Sequence, residues 1–213
     1  MIDIVTNADI NARANDFEDM FRLRHRVFKE RLGWDVQTRN GLEIDRFDEL
    51  DPVYLMAFDR SERLVGTWRM LPTTGPYMLR DVFPVLMDGM EAPRHPRICE
   101  GSRFAVDCDY VGRQGLAALS HVTSEIFCAV VEYCIANGYR EIVTVYDARI
   151  GRLLPRLGCI PKWRSRQMQI GVTQTLAGRF DTTPEILQQV RKTNGITGSV
   201  IRHAPWKLAD AAA

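Results

Sequence analysis

Phe17, Phe21 and Phe28 recur at helical spacing behind Asn15-Asp16-Phe17-Glu18, an N-cap residue with a glutamate three positions on, and the run stops at Gly33. The pattern predicts a first helix to about residue 32, with Arg24 on its apolar face. Residues 34–48 keep no period. They hold Asn40-Gly41 and four carboxylates, Asp35, Glu43, Asp45 and Asp48, and read as a long ordered loop. Strand-like runs at 54–58 and 64–71 flank the polar turn 59–63, which predicts a β-hairpin with Arg69 inside its second strand. Five prolines interrupt residues 72–96, leaving one short apolar stretch at 82–87 for a helical turn or two.

The second half alternates more regularly. Residues 98–106 read as a strand, and 113–136 as a helix with Leu116, Leu119, Val122, Phe127, Val130 and Cys134 on one face, stopped by Asn137-Gly138. A β-branched strand at 141–146 leads to a short helix at 148–157 containing Pro155, then to a further strand at 162–170. Thr183-Pro184-Glu185 opens a final helix, with Asn194-Gly195 after it. No repeat and no linker divides the chain. The order predicts one α/β domain spanning 1–213 around a mixed, largely antiparallel sheet flanked by helices, with a tail from Ala209 expected to fray.

Composition narrows the classes. Among 213 residues, 28 Lys and Arg face 27 Asp and Glu, so the net charge of +1 gives no global attraction to nucleic acid. Five cysteines, odd in number and without a Cys-x-x-Cys pair, suggest neither a disulfide framework nor a zinc knuckle and fit a reducing cytoplasm. No stretch approaches the ~20 apolar residues of a spanning helix, and the first residues lack a basic region followed by an apolar one, so a cytoplasmic protein is expected.

Four places carry unusual chemistry. Arg24, among aromatics on an inward face, either snorkels at the core edge or is held for a carboxylate, from Asp45, Asp48 or a ligand. Glu100-Gly101-Ser102-Arg103 puts charges on both faces of an apolar strand, which is costly unless the strand is an edge or lines a polar cleft. Gly101 hints at a bulge, and a bulge would let Glu100 and Arg103 face the same cleft. Trp34 by the acidic loop and Trp68 beside Arg69 are core aromatics or platforms for a cation such as a sulfonium. Between Asp147 and Asp181 there is no acid at all. Arg149, Arg152 and Arg156 open this basic third, which is either a solvated face or a docking site for an acidic partner or a phosphate-bearing cofactor. Phosphate-loop, His-Glu-x-x-His and Gly-x-Ser-x-Gly motifs are absent, and residues 112–117 match a phosphate-cradling turn only weakly.

Taken together, the strings Arg24-His25-Arg26-Val27-Phe28, Glu43-Ile44-Asp45-Arg46-Phe47-Asp48 and Glu100-Gly101-Ser102-Arg103-Phe104, with Trp34 and Arg69 between them, resemble the acyl-homoserine-lactone synthases, the LuxI-type autoinducer synthases of bacterial quorum sensing. The resemblance implies a fold similar to the Gcn5-related N-acetyltransferases and a two-step acyl transfer. The amine of S-adenosylmethionine takes the acyl group of an acyl-CoA or acyl-carrier-protein thioester, and lactone closure then releases methylthioadenosine. It implies Glu100 as base, with Arg103, Asp45 and Asp48 beside it. Arg24, Phe28, Trp34, Arg69 and Glu43 would complete the S-adenosylmethionine pocket. The strand at Ser102, Phe104 and Val106, with Thr144, would hold the pantetheine arm and the acyl chain. Met78, Leu79, Phe83, Phe127 and Tyr146 are candidate acyl liners. No metal or regenerated cofactor, no nucleic acid and no membrane would be involved. An N-acyltransferase acting on another amine, or a non-catalytic ligand- or carrier-binding module, would fit the same residues.

Overall fold

The computed structural model describes residues 1–113 and 115–203. Its central feature is a nine-stranded sheet in the order β11-β1-β4-β5-β6-β7-β10-β8, with β9 paired to β10. The strands are β1 (Ile2–Thr6), β4 (Val53–Phe58), β5 (Leu64–Pro72), β6 (Ile98–Val106), β7 (Glu141–Asp147), β8 (Trp163–Arg164), β9 (Met168–Ile170), β10 (Thr173–Asp181) and β11 (Ile201–His203). β2 (Thr38–Arg39) and β3 (Leu42–Glu43) form a separate ribbon. Pairing is antiparallel except at β1/β11 and β6/β7. Long β6 and β5 are buried almost end to end, as suits strands in mid-sheet.

Helices cover both faces. α4 (Leu116–Ala136) and α6 (Pro184–Asn194) pack with Trp68, Ile142, Phe180 and their neighbours into one core. α1 (Ala14–Arg24) closes a second, built on Phe17, Phe21, Phe28 and Tyr54. A third lies around the short α2 (Met78–Asp81). α3 (Cys108–Arg113) and α5 (Ala148–Leu153) follow β6 and β7.

Several expectations hold: the hairpin, the strand over 98–106, and the last helix with Thr183 as N-cap and left-handed Gly195 behind it. Others are corrected. The first helix starts at Ala14, where Arg13 pairs with Asp16, and from His25 to Arg31 it is π-helical instead of continuing as α. The ordered loop contains the β2/β3 ribbon about Asn40-Gly41. Pro155 ends α5 early in a 3-10 turn over Leu154–Leu157. The single strand expected at 162–170 is two short strands, and β10, whose polar ends and Gly178 blur its apolar pattern, was not anticipated. Nor were β1 and the edge strand β11 beside it. Gln114, the side chains of Leu116 and Leu119, and the tail from Ala209 lie outside the described residues.

Two irregularities open the sheet. β6 pairs with β7 only from Ile98↔Glu141 to Gly101↔Thr144, although both strands run on, so they part beyond Gly101 and leave a gap. On the other edge of β6 the register with β5 slips between Ser102 and Ala105, placing both Arg103 and Phe104 opposite Trp68. Arg103 sits there at φ 57°, a left-handed conformation rare outside glycine. This is the bulge that Gly101 hinted at, and it returns Arg103 to the side of the sheet that Ser102 faces.

Candidate functional site

Three short devices bring six charged side chains together. Arg24 ends α1 at the start of the π-helical turn, the ribbon about Asn40-Gly41 delivers Glu43, and Asp45 with Asp48 caps the 3-10 turn Arg46–Glu49. Arg24 donates from Nε to Glu43 at 2.6 Å and from both Nη atoms to Asp48 at 2.8 and 2.9 Å. Arg69 donates through Nη1 to Asp45 at 2.6 Å and to Asp48 at 2.8 Å, and through Nε to Ser102 at 3.2 Å. The bulge lets Arg103 reach Glu43 at 3.0 Å and Asp45 at 2.7 Å. Tyr54 adds its hydroxyl to Asp48 at 2.8 Å.

Three guanidinium groups thus face three carboxylates, and Arg24, Arg69 and Glu43 are fully buried. Removing charge from water is costly unless every member is paired, which this mesh satisfies. Burial by itself would raise Asp48 and Asp45, but Arg24 and Arg69 outweigh it at Asp48, and Arg69 and Arg103 at Asp45, holding both carboxyls below the usual range. Burial also works against Arg24, yet Glu43 and Asp48 raise it. Arg103 is lowered by burial and by its fellow arginines in spite of Glu43 and Asp45.

Glu100 differs from these acids. No arginine pairs with it directly. Its oxygens accept the backbone N–H of Met78 at 2.9 Å and Leu79 at 2.6 Å, at the start of α2. Burial pushes its carboxyl up to about 7, with those two hydrogen bonds and the charges of Arg69 and Arg103 pulling the other way. A carboxyl that titrates near neutrality can both take and return a proton.

Glu100 and Arg103 line a pocket that runs through the β6/β7 gap, with an empty volume of about 1090 Å³, open solvent included. Phe28 and Trp34 stand at one side, rings 5.2 Å apart, with Arg103 5.3 Å over Phe28 and Trp34 Nε1 donating to Thr173 at 2.7 Å. Apolar side chains of α4, β7 and α6, including Phe127, Ile142 and Ile186, line the remainder.

Most of the expected residues meet here. Ser102, Phe104 and Thr144 line the pocket, as do Met78, Phe83, Phe127 and Tyr146. Val106 does not: it is paired with Gly66 and buried in the core. Leu79 contributes its backbone, and Asp35, alone among the loop acids, is exposed. Trp68 packs against Phe104 and Phe127 on the opposite face of β5 from Arg69, so it offers no aromatic platform to the charge cluster. Arg149 and Arg152 border a neighbouring hollow with Arg31 and Thr173, and Arg156 is exposed after α5. Sequence reasoning missed Tyr54, the N–H groups that hold Glu100, and the sulfur of Met78, 3.2 Å from both Arg69 and Arg103. A Tyr beside an Asp-rich turn signals nothing locally, because the pairing is tertiary. Among the described residues no group of three His, Cys, Asp or Glu could hold a metal ion, and no helix is long and apolar enough to cross a membrane.

Residues 9–190 match the family described as autoinducer synthase. A protein of Sinorhizobium fredii named "Probable acyl-homoserine-lactone synthase" is 37% identical over 172 residues, covering 81% of this chain and 83% of its own. The structure of BjaI, a CoA-dependent acyl-homoserine lactone synthase solved with S-adenosylmethionine and isopentyl-CoA, superposes with a TM-score of 0.82 at 27% identity, covering 96% of this chain and 93% of that one. FeeM, an N-acyl amino acid synthase from uncultured soil microbes, shares the fold alone, with a TM-score of 0.56 at 16% identity over 87% of this chain and 98% of its own.

Proposed function

The chain belongs to the autoinducer synthase family and is an acyl-homoserine-lactone synthase, and we propose that its charge cluster braces the S-adenosylmethionine site while Glu100 takes the proton from the attacking amine. The observation that carries this reading is the position of Glu100. It is a carboxyl near pKa 7 at the mouth of the β6/β7 gap, beside a closed mesh of arginine–carboxylate pairs.

The amine of S-adenosylmethionine has an ordinary pKa of ~8, so at neutral pH it arrives largely protonated. Glu100 accepts that proton, directly or through a water. The freed nitrogen attacks the thioester carbonyl, the C–N bond forms, and the C–S bond breaks to release the thiol. The methionyl carboxylate then attacks its own γ-carbon, and methylthioadenosine leaves as the lactone closes. That second step is intramolecular, so a bound geometry that aligns oxygen, carbon and sulfur supplies much of the rate.

Asp45 and Asp48 stay ionised against their arginines and Glu43 is tied to Arg24 and Arg103, so all three position, and the proton passes to Glu100 alone. Phe28 and Trp34 present aromatic faces to the sulfonium side of the substrate. The edge of β6 that β7 leaves from Ser102 onward offers backbone groups to the pantetheine arm and to the developing oxyanion. Arg149, Arg152 and Arg156 form a basic rim suited to an acidic thioester carrier, whether CoA or acyl-carrier protein. The reaction, which uses metabolites of the cytoplasm, is placed there.

Mass spectrometry of purified protein with S-adenosylmethionine and a panel of acyl-CoA and acyl-carrier thioesters tests this. Methylthioadenosine and an N-acyl homoserine lactone should appear together. Acylation of other amines without methylthioadenosine, or tight binding without turnover, would overturn it.

A further inference from the structure

Trp68 is 3% exposed, with its ring centroid 5.3 Å from that of Phe104 and 4.9 Å from that of Phe127, and it lines the pocket. An indole N–H can only donate, and when buried it ordinarily finds an acceptor. Among the described residues Trp68 Nε1 has none. Gly101 shows why the group lies where it does. A Cβ at that position would stand 2.8 Å from Trp68 Nε1 and 2.9 Å from Ile142 Cδ1. The missing side chain lets the indole edge rest against β6 at the last residue paired with β7, where the pocket passes through the sheet.

An apolar pocket with one fixed, unanswered donor is built for a ligand that brings an acceptor to that spot, because leaving such a donor unpaired is unfavourable. S-adenosylmethionine is held on the other side of β6. Alternation along the strand sets the Glu100 carboxylate and the Trp68 indole on opposite faces. The thioester carbonyl must lie with Glu100, so the oxygen that meets Trp68 belongs to the acyl chain after it has entered the gap.

We propose that Trp68 is a specificity residue that donates its indole N–H to an oxygen on the acyl chain, so that the protein uses an oxo- or hydroxy-acyl thioester in preference to an unsubstituted one. This rests on the synthase reading above and adds the substrate class to it. Only the oxygenated chain satisfies the donor, and an unsubstituted chain of equal length buries it unpaired.

The test measures kcat/KM for donors of one chain length, unsubstituted, 3-hydroxy and 3-oxo, with wild type and Trp68→Phe. Wild type should favour an oxygenated donor by about tenfold, the size expected of one neutral hydrogen bond, and Trp68→Phe should erase that ratio whatever it does to the absolute rates. Equal efficiencies in wild type, or an equal fall for every donor in the variant, would overturn the assignment, the second pointing to packing or to the thioester carbonyl. Lactone from no donor would instead overturn the synthase reading, and this proposal with it. Should Trp68→Phe fold poorly, the ¹⁵N-indole resonances of the wild type decide. The Trp68 N–H, identified by its contacts to Phe104 and Phe127, should move downfield with the oxygenated lactone and hold its place with the plain one; movement alike with both refutes the proposal.

Discussion

Replacing Glu100 by Gln removes the titration and keeps the shape, so it separates the chemistry of this residue from its role under α2. The carboxyl titrates ordinarily at 4.5 and in the fold at about 7. That gap of about 2.5 pH units, at ~1.4 kcal/mol each, amounts to roughly 3 kcal/mol. Because the folded value is the higher, the folded state binds more protons between pH 4.5 and 7. The contribution is complete below 4.5 and is lost as pH rises to 7, leaving wild type burdened with a buried carboxylate above it. Gln carries no such dependence. Unfolding by urea should show the variant gaining up to about 3 kcal/mol on wild type between pH 4.5 and pH 8, on top of a constant loss for the N–H acceptor that an amide nitrogen cannot replace.

Turnover should move in the opposite sense. Loss of a general base typically costs 10²- to 10⁴-fold, so single-turnover acylation at pH 8 should slow by about that much in Glu100→Gln while S-adenosylmethionine binding stays within a few-fold. Wild-type kcat should fall about tenfold per pH unit below 7, and the variant should lack that limb. A variant that acylates within about threefold of wild type at pH 8 would refute Glu100 as base. If the stability difference still followed pH as above, Glu100 would be left as a cap for Met78 and Leu79 only.

Arg24→Ala strands Glu43 and Asp48 in the core without their fully buried partner, and should lower stability by about 3–5 kcal/mol in denaturant titration; a loss under 1 kcal/mol would mean that the cluster is hydrated. Gly101→Ala drives a methyl into Trp68 and Ile142 and should cost about 1–3 kcal/mol, read as a lower Tm, together with poorer use of long acyl donors. Charge reversal at Arg149, Arg152 and Arg156 should raise KM for a carrier-protein donor tenfold or more at low salt with kcat little changed, and an unaltered KM would return the patch to a solvated face.

The parts of the fold that could be read in the sequence are those whose signal is local. β6 emerged at its observed bounds because the apolar pairs and triplets at its two ends, Ile98-Cys99 and Phe104-Ala105-Val106, hold a short charged middle between them, and α6 emerged from its cap and its glycine. β10 did not, since half its residues are polar and it is held by pairing to β7 from Thr175↔Asp147 to Asp181↔Glu141, contacts between positions far apart in the chain. The site divides in the same way. Glu100 and Arg103 were legible as a conflict, two charges in an apolar strand, and the bulge that resolves it was readable from Gly101. Arg24 does meet Asp48, one of the two partners its place suggested, but its closer hold on Glu43 than on Asp45 was not legible, because it is set by where the ribbon and the 3-10 turn fold back. Trp68 could be read as core aromatic or cation platform, and it is core, because adjacency to Arg69 in a strand puts the two on opposite faces.

The charge balance of the reaction explains why one acid at this site must differ from the other three. S-adenosylmethionine carries a sulfonium, an ammonium and a carboxylate, net +1, whereas lactone, methylthioadenosine and thiol are all neutral, so each turnover sheds one proton. Asp45 and Asp48, held low by Arg69, Arg103 and Arg24, would not keep that proton at neutral pH. An acid raised far above 7 would be protonated already. A carboxyl at about 7, buried and held by two backbone N–H groups, can take the proton from an amine of pKa ~8 and pass it to water before the next cycle. The arginine mesh makes that possible by neutralising the neighbouring acids in pairs, so that Glu100 is governed by burial and not by their charge.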